Sequence, residues 1–238
     1  MFKKLVSSVI TVFFLVSTTF VSPAYATNTT APVAMPWLVR ISFASGATSA
    51  VVDGDFTTRT WQDFVIRGNA GHTMIVSLTA SDPSTHFVVF RRFTRTLLWG
   101  RGDGLTTWQR TLPFNADYII RVFGPIGSNF SLNAAMPAII RFPRGTWGTT
   151  VTGHTSDNRI NSYLAWGRQG QILTATLTSP GNMGITVYGL IDGIPMVRAV
   201  SGAVTWSGRL QSSQNYVIDV VPSISTTIYY TLDVTITN

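Results

Sequence analysis

The chain has 238 residues and a formal net charge of +7, from 17 Lys and Arg against 10 Asp and Glu. It has no cysteine, which excludes disulfides, thiolate nucleophiles and cysteine metal sites and leaves stability to packed cores. Beyond Lys3 and Lys4 every cation is Arg and every anion is Asp. The loss of two good helix formers, beside abundant Thr, Val, Ile and aromatic residues, favours strands.

In chain order, the first segment reads Met1-Phe2-Lys3-Lys4, an apolar run to Phe20, then Ser22-Pro23-Ala24-Tyr25-Ala26. A basic start, an apolar stretch and an Ala-x-Ala site are the parts of a secretory signal peptide, here expected over residues 1–26. The competing expectation is a retained anchor, since the run is about long enough to span a bilayer. Residues 27–37 form a short extension. No later stretch is apolar enough to cross a membrane as a helix, so the protein is expected to be secreted, extracellular or associated with the cell envelope.

From residue 38 the pattern is that of short strands, expected at 38–43, 48–53, 61–67, 72–80, 86–92, 96–99, 106–112, 117–123 and 128–134. Gly, Pro, Asn and Asp punctuate them, as tight turns require, and Asp53-Gly54-Asp55 reads as a hairpin turn. No segment sustains a helical period. After a connector at Met136-Pro137 the pattern begins again at a spacing of 98 to 100 residues. Phe43 and Gly46 are answered by Phe142 and Gly145, Gly54 by Gly153, Phe64 by Tyr163, Gly71 by Gly170 and Trp108 by Trp206.

The repeat preserves strand register. Met74, Val76 and Leu78 alternate with polar neighbours at the parity of Leu173, Ala175 and Leu177, while Tyr118, Ile120 and Val122 match Tyr216, Ile218 and Val220. Such alternation is a half-buried strand, and keeping it twice encodes one inner face twice. The expected fold class is all-β, two tandem β-sandwich (jelly-roll-like) domains after a signal peptide, at 38–135 and 136–238, with little freedom across so short a connector. An outer-membrane barrel is the architectural competitor, but its strands need about ten alternating residues each.

The string from Ile41 to Gly54, Ala70-Gly71-His72-Thr73-Met74, Leu177-Thr178-Ser179-Pro180, and Thr205-Trp206-Ser207-Gly208-Arg209-Leu210 followed by Tyr216 resemble the bacterial pre-peptidase C-terminal domain. The likeness covers nearly all of both copies. It implies secreted β-sandwiches of the kind appended to extracellular hydrolases as non-catalytic modules, although no peptidase domain precedes them here. The chain is more distantly similar to the periplasmic inhibitors of g-type lysozyme, in the Phe-x-x-Gly opening, the Ala-x-x-Gly-x start of a strand and the late Tyr strand.

The catalytic inventory is thin. The histidines are His72, His86 and His154, there is no Glu, and no Gly-x-Ser-x-Gly turn accompanies any serine. His72 and His154 stand where the other copy has Gln171 and Asp55, so polar strand or turn positions account for them. Asp53 and Asp55 offer oxygen ligands for calcium, but the matching Thr152-Gly153-His154 lacks both carboxylates. Arg101-Gly102-Asp103 is the tripeptide of cell adhesion and reads as another turn. No catalytic residue, metal or cofactor is expected, and the chain is read as a non-enzyme.

The copies diverge at Arg91, Arg92, Phe93, Arg95, Trp99 and Arg101, whose counterpart in the second copy holds a single cation. Guanidinium groups pair bidentately with carboxylate, phosphate or sulfate, and neighbouring rings stack on a sugar or on the Arg itself. The plainer reading is an ordinary charged outer strand face. The expected function is a secreted, non-catalytic recognition or structural module of the cell surface, its partner an anionic polysaccharide or an extracellular protein. Nucleic acid is not expected. The alternative is a proteinaceous inhibitor of a cell-wall lytic enzyme, against which stands the poor match of a basic protein to a basic lysozyme.

Overall fold

The computed structural model describes residues 37–99, 106–155 and 159–238. The expected leader at 1–26, nearly all of the extension and Arg101 lie outside the described residues, as does the side chain of Trp99.

The first copy supplies β1 (Leu38–Ile41), β2 (Ser49–Asp55), β3 (Trp61–Gly68), β4 (Thr73–Ala80), β5 (His86–Arg91), β6 (Leu97–Trp99), β7 (Thr107–Thr111), β8 (Ala116–Phe123) and β9 (Asn129–Ala135). The second supplies β10 (Ala138–Ile139), β11 (Gly148–Thr155), β12 (Asn161–Gly167), β13 (Ile172–Thr178), β14 (Met183–Gly189), β15 (Pro195–Val197), β16 (Thr205–Arg209), β17 (Gln214–Pro222) and β18 (Ile228–Thr237). A single 3-10 turn at Ala199–Ser201 is the one helical element among the described residues.

Each copy makes a five-stranded and a four-stranded sheet. The orders are β1-β3-β8-β5-β6 and β2-β9-β4-β7, then β10-β12-β17-β14-β15 and β11-β18-β13-β16. Position for position these are one topology, down to the parallel pairing of β1 with β3 and of β10 with β12. The inner faces meet in two cores. Phe64, Met74, Tyr118, Ile120 and Leu132 close the first, and Tyr163, Leu173, Tyr216, Ile218 and Leu232 close the second. Both central tyrosines are fully buried, and each hydroxyl donates to a carbonyl four residues upstream, Phe114 O at 2.8 Å and Ser212 O at 2.6 Å. A buried phenol without such an acceptor would cost about 1–3 kcal/mol.

One expected turn is a strand. Asp53-Gly54-Asp55 lies within β2, with Gly54 opposite Phe130 of β9. A Cβ at Gly54 would sit 2.4 Å from the Phe130 ring, and one at Gly153 would sit 2.5 Å from the Tyr230 hydroxyl. The glycine is repeated because a ring from the adjacent strand folds across it, not because the chain turns there. Phe64 and Phe130 meet edge to face at 5.9 Å, while their counterparts Tyr163 and Tyr230 share a hydroxyl hydrogen bond of 2.6 Å.

The sandwiches touch through polar groups. Ser162 N–H donates to Thr48 Oγ1 (2.5 Å), Thr48 N–H donates to Asn161 Oδ1 (3.3 Å), and Ser49 Oγ donates to Ile160 O. Ser49, Asn161 and Ser162 are all buried. The loop before β2 is thereby fixed to the start of β12.

Candidate functional site

The hairpin from β5 to β6 gathers the arginines read from the sequence. Arg95 N–H donates to Arg91 O (2.9 Å), and Arg92 N–H continues the ladder to Asp117 O on β8 (3.0 Å). Arg91 Cζ lies 4.8 Å from the Phe114 ring centroid and Arg92 Cζ lies 5.4 Å from that of Phe93. Phe93, at the tip, is 83% exposed, and Phe114 is half exposed. Arg91, Arg92, Phe93 and Arg95 therefore share one turn. Trp99 is placed by its backbone opposite Val89, and Arg101 lies outside the described residues.

The matching hairpin of the second copy has the same bonds, Gly193 N–H to Gly189 O (2.9 Å) and Leu190 N–H to Asn215 O (2.8 Å). Its side chains differ throughout. Gly189, Leu190, Ile191, Asp192 and Gly193 replace Arg91, Arg92, Phe93, Thr94 and Arg95. Gln214 braces this turn by donating to Asp192 Oδ2 (2.8 Å) and accepting from Ile191 N–H (2.8 Å), and its counterpart in the first copy is Ala116. Arg95 has a φ of 51°, the one positive value at a non-glycine among the described residues, where Gly193 has 66°. An L side chain in that region costs energy that glycine does not, and such costs collect at binding sites.

Three residues beside the turn escaped the sequence reading. On the outer face of the five-stranded sheet, Arg40 donates to Asp117 Oδ2 (3.0 Å), Arg92 donates to the same oxygen (3.3 Å), and Arg67 approaches Asp117 Oδ1 (3.8 Å). Burial of Asp117 works to raise its carboxyl pKa, but bonding to Arg40 and Arg92 and the field of Arg67 outweigh it, holding the group below the usual carboxylate range. Arg40, Arg67 and Asp117 come from β1, β3 and β8, far apart in sequence. The repeat offset could have found them, since their counterparts Ile139, Trp166 and Asn215 carry no charge.

Farther along the same face, Arg121 grips Asp63 bidentately at 2.6 and 2.7 Å and lies 4.3 Å over the Trp61 ring. These guanidinium donors are committed to their own carboxylate. No cluster of three or more His, Asp or Glu side chains fit to hold a metal occurs among the described residues, and no described helix is long and apolar enough to cross a membrane.

No family model matches the sequence, and no curated protein matches it. Among solved structures the chain is similar to Aeromonas hydrophila PliG, described as a periplasmic lysozyme inhibitor of g-type lysozyme. That match has 28% identity and a TM-score of 0.36, covering 42% of this chain and 95% of that one. A second match is to the Sulfolobus turreted icosahedral virus, at 9% identity and a TM-score of 0.27, covering 78% of this chain and 59% of that one.

Proposed function

We propose that the chain is a secreted, non-catalytic binding protein of the cell surface whose first sandwich takes an acidic glycan at the turn after β5. One observation carries the reading. Arg91, Arg92, Phe93 and Arg95 project from one hairpin, with Phe114 of the loop before β8 against Arg91, and the counterpart hairpin keeps the same backbone bonds with none of these side chains. Because the hairpin forms without them, the arginines and rings are surplus to folding and available to a ligand. Guanidinium groups bind the acidic groups and exposed rings accept the apolar faces of sugars.

The test is retention of the full chain on immobilised heparin across a salt gradient. The parent is expected to bind at low salt and to elute as salt screens the contacts. Replacing Arg91, Arg92 and Arg95 together by Ala should abolish retention. Arg95→Gly alone should weaken it while raising stability by about 0.5–1 kcal/mol, because glycine is unstrained at positive φ. Unchanged retention of the triple variant would overturn the reading.

A second reading, inhibition of a cell-wall lytic enzyme, is favoured by the motifs shared with the g-type lysozyme inhibitors, here Phe43-Ala44-Ser45-Gly46 and the strand of Tyr216. Titrating g-type and c-type lysozymes with the protein decides it, and full activity at molar excess would remove it.

A further inference from the structure

The patch around Asp117 differs from an ordinary surface ion pair in its count of partners. Three guanidinium groups, from β1, β3 and the turn after β5, converge on one carboxylate, leaving two positive charges in excess. The fold does not ask for any of them. In the second sandwich Ile139 pairs with Leu164 as Arg40 pairs with Val65, Trp166 stands opposite Asn215 as Arg67 stands opposite Asp117, and Leu190 bonds to Asn215 as Arg92 bonds to Asp117. Asn215 also shows that a neutral side chain is accepted at this register.

Resting on the glycan reading above, we infer that Arg40, Arg67 and Arg92 seat one tetrahedral oxyanion of the ligand, a sulfate or phosphate ester. Asp117 is the internal carboxylate that holds the three arginines together while the seat is empty and competes with the ligand for them. The convergence of donors from three elements selects the ligand class. A carboxylate has two oxygens, and here Asp117 Oδ2 is shared by Arg40 and Arg92 while Arg67 stays 3.8 Å from Oδ1. A monoester of sulfate or phosphate offers three free oxygens, one for each guanidinium. It also answers the excess charge that Asp117 leaves unmet, whereas a ligand of carboxylates only repeats what the protein supplies.

The deciding comparison is Asp117→Asn against the parent in the full chain, with Asp55→Asn as a control that makes the same charge change at the exposed end of β2. Asp117→Asn is expected to bind heparin about fivefold more tightly at fixed ionic strength, and the control to match the parent. The parent should retain heparin to higher salt than polygalacturonate, whose charges are carboxylates. Sodium sulfate should raise the melting temperature of Asp117→Asn over sodium chloride of equal ionic strength by more than it does when Arg40→Ala and Arg67→Ala are added, the general stabilisation by sulfate being common to both variants. Retention on heparin with Asp117→Asn equal to or weaker than the parent would defeat the competing role of Asp117 and leave the glycan reading standing. Equal retention on the two polymers would defeat the tetrahedral seat. Failure of the parent on both polymers with the sulfate effect intact would uphold the seat and defeat the glycan reading.

Discussion

Asp219 shows how one residue changes its meaning when its partner is lost. In the first sandwich the outer face is crossed by Asp63 and Arg121, paired bidentately beside Phe90. At the same register the second sandwich has Ser162, Asp219 and Tyr188, so the carboxylate stands where the guanidinium was and is met by two hydroxyls. Burial pushes its pKa up to about 6, and the hydrogen bonds from Ser162 and Tyr188 lower it only in part. Between the usual carboxylate range and about pH 6 the folded chain keeps a proton that the unfolded chain releases. Stability should therefore fall as pH rises through that window and level off above it. Asp117 has the opposite sign and acts at lower pH, where its stabilisation is lost as the carboxylate protonates. Asp219→Asn should flatten the loss and stabilise the protein at neutral pH by about 1–3 kcal/mol. Denaturant midpoints from pH 4 to pH 8 measure it, and a parent profile flat from pH 4 to pH 7 would contradict the assignment.

Among elements, legibility followed how local the cause was. All nine strands expected in the first copy are present within a few residues of their limits, because period-two alternation is written into each strand separately. The inner-face positions of Trp108 and Trp206 follow from the same parity. Their burial is unequal, however, with Trp108 in the core and Trp206 only packed against it. Gly208 is the physical reason, since the Trp206 ring lies across it and a Cβ there would meet the ring at 2.5 Å. The first copy has Arg110 at that place, so its tryptophan cannot lie down along the strand. Asp53-Gly54-Asp55 reads locally as a turn for a related cause, because a ring arriving from β9 is invisible in a window around Gly54. The candidate site was half legible. The four residues of the turn are contiguous enough to be seen, whereas Arg40, Arg67 and Asp117 meet only through sheet pairing.

At the scale of the whole molecule, the junction decides whether the chain behaves as one body. Thr48 and Ser49 bring two hydroxyls to the backbone at the start of β12, and buried hydrogen bonds of this kind are worth about 1 kcal/mol each. We propose that each copy folds as its own domain, at 38–135 and 136–238, and that this contact couples their unfolding. Calorimetry of the parent is expected to show one transition, and Thr48→Val with Ser49→Ala to resolve two. A single transition in both proteins would place the coupling elsewhere.

The junction also joins unlike ends, the loop before β2 of one sandwich against the start of β12 in the other. A contact between unlike ends has no twofold axis to close it, so each added module would present a fresh end to the next. At the places of Thr48 and Ser49 the second sandwich carries Trp147 and Gly148, and both hydroxyls are gone. A third module produced by another duplication would find no matching hydroxyls for its Ile160 and Ser162 equivalents, so the contact that joins these two copies would not be repeated by the second copy with the same bonds.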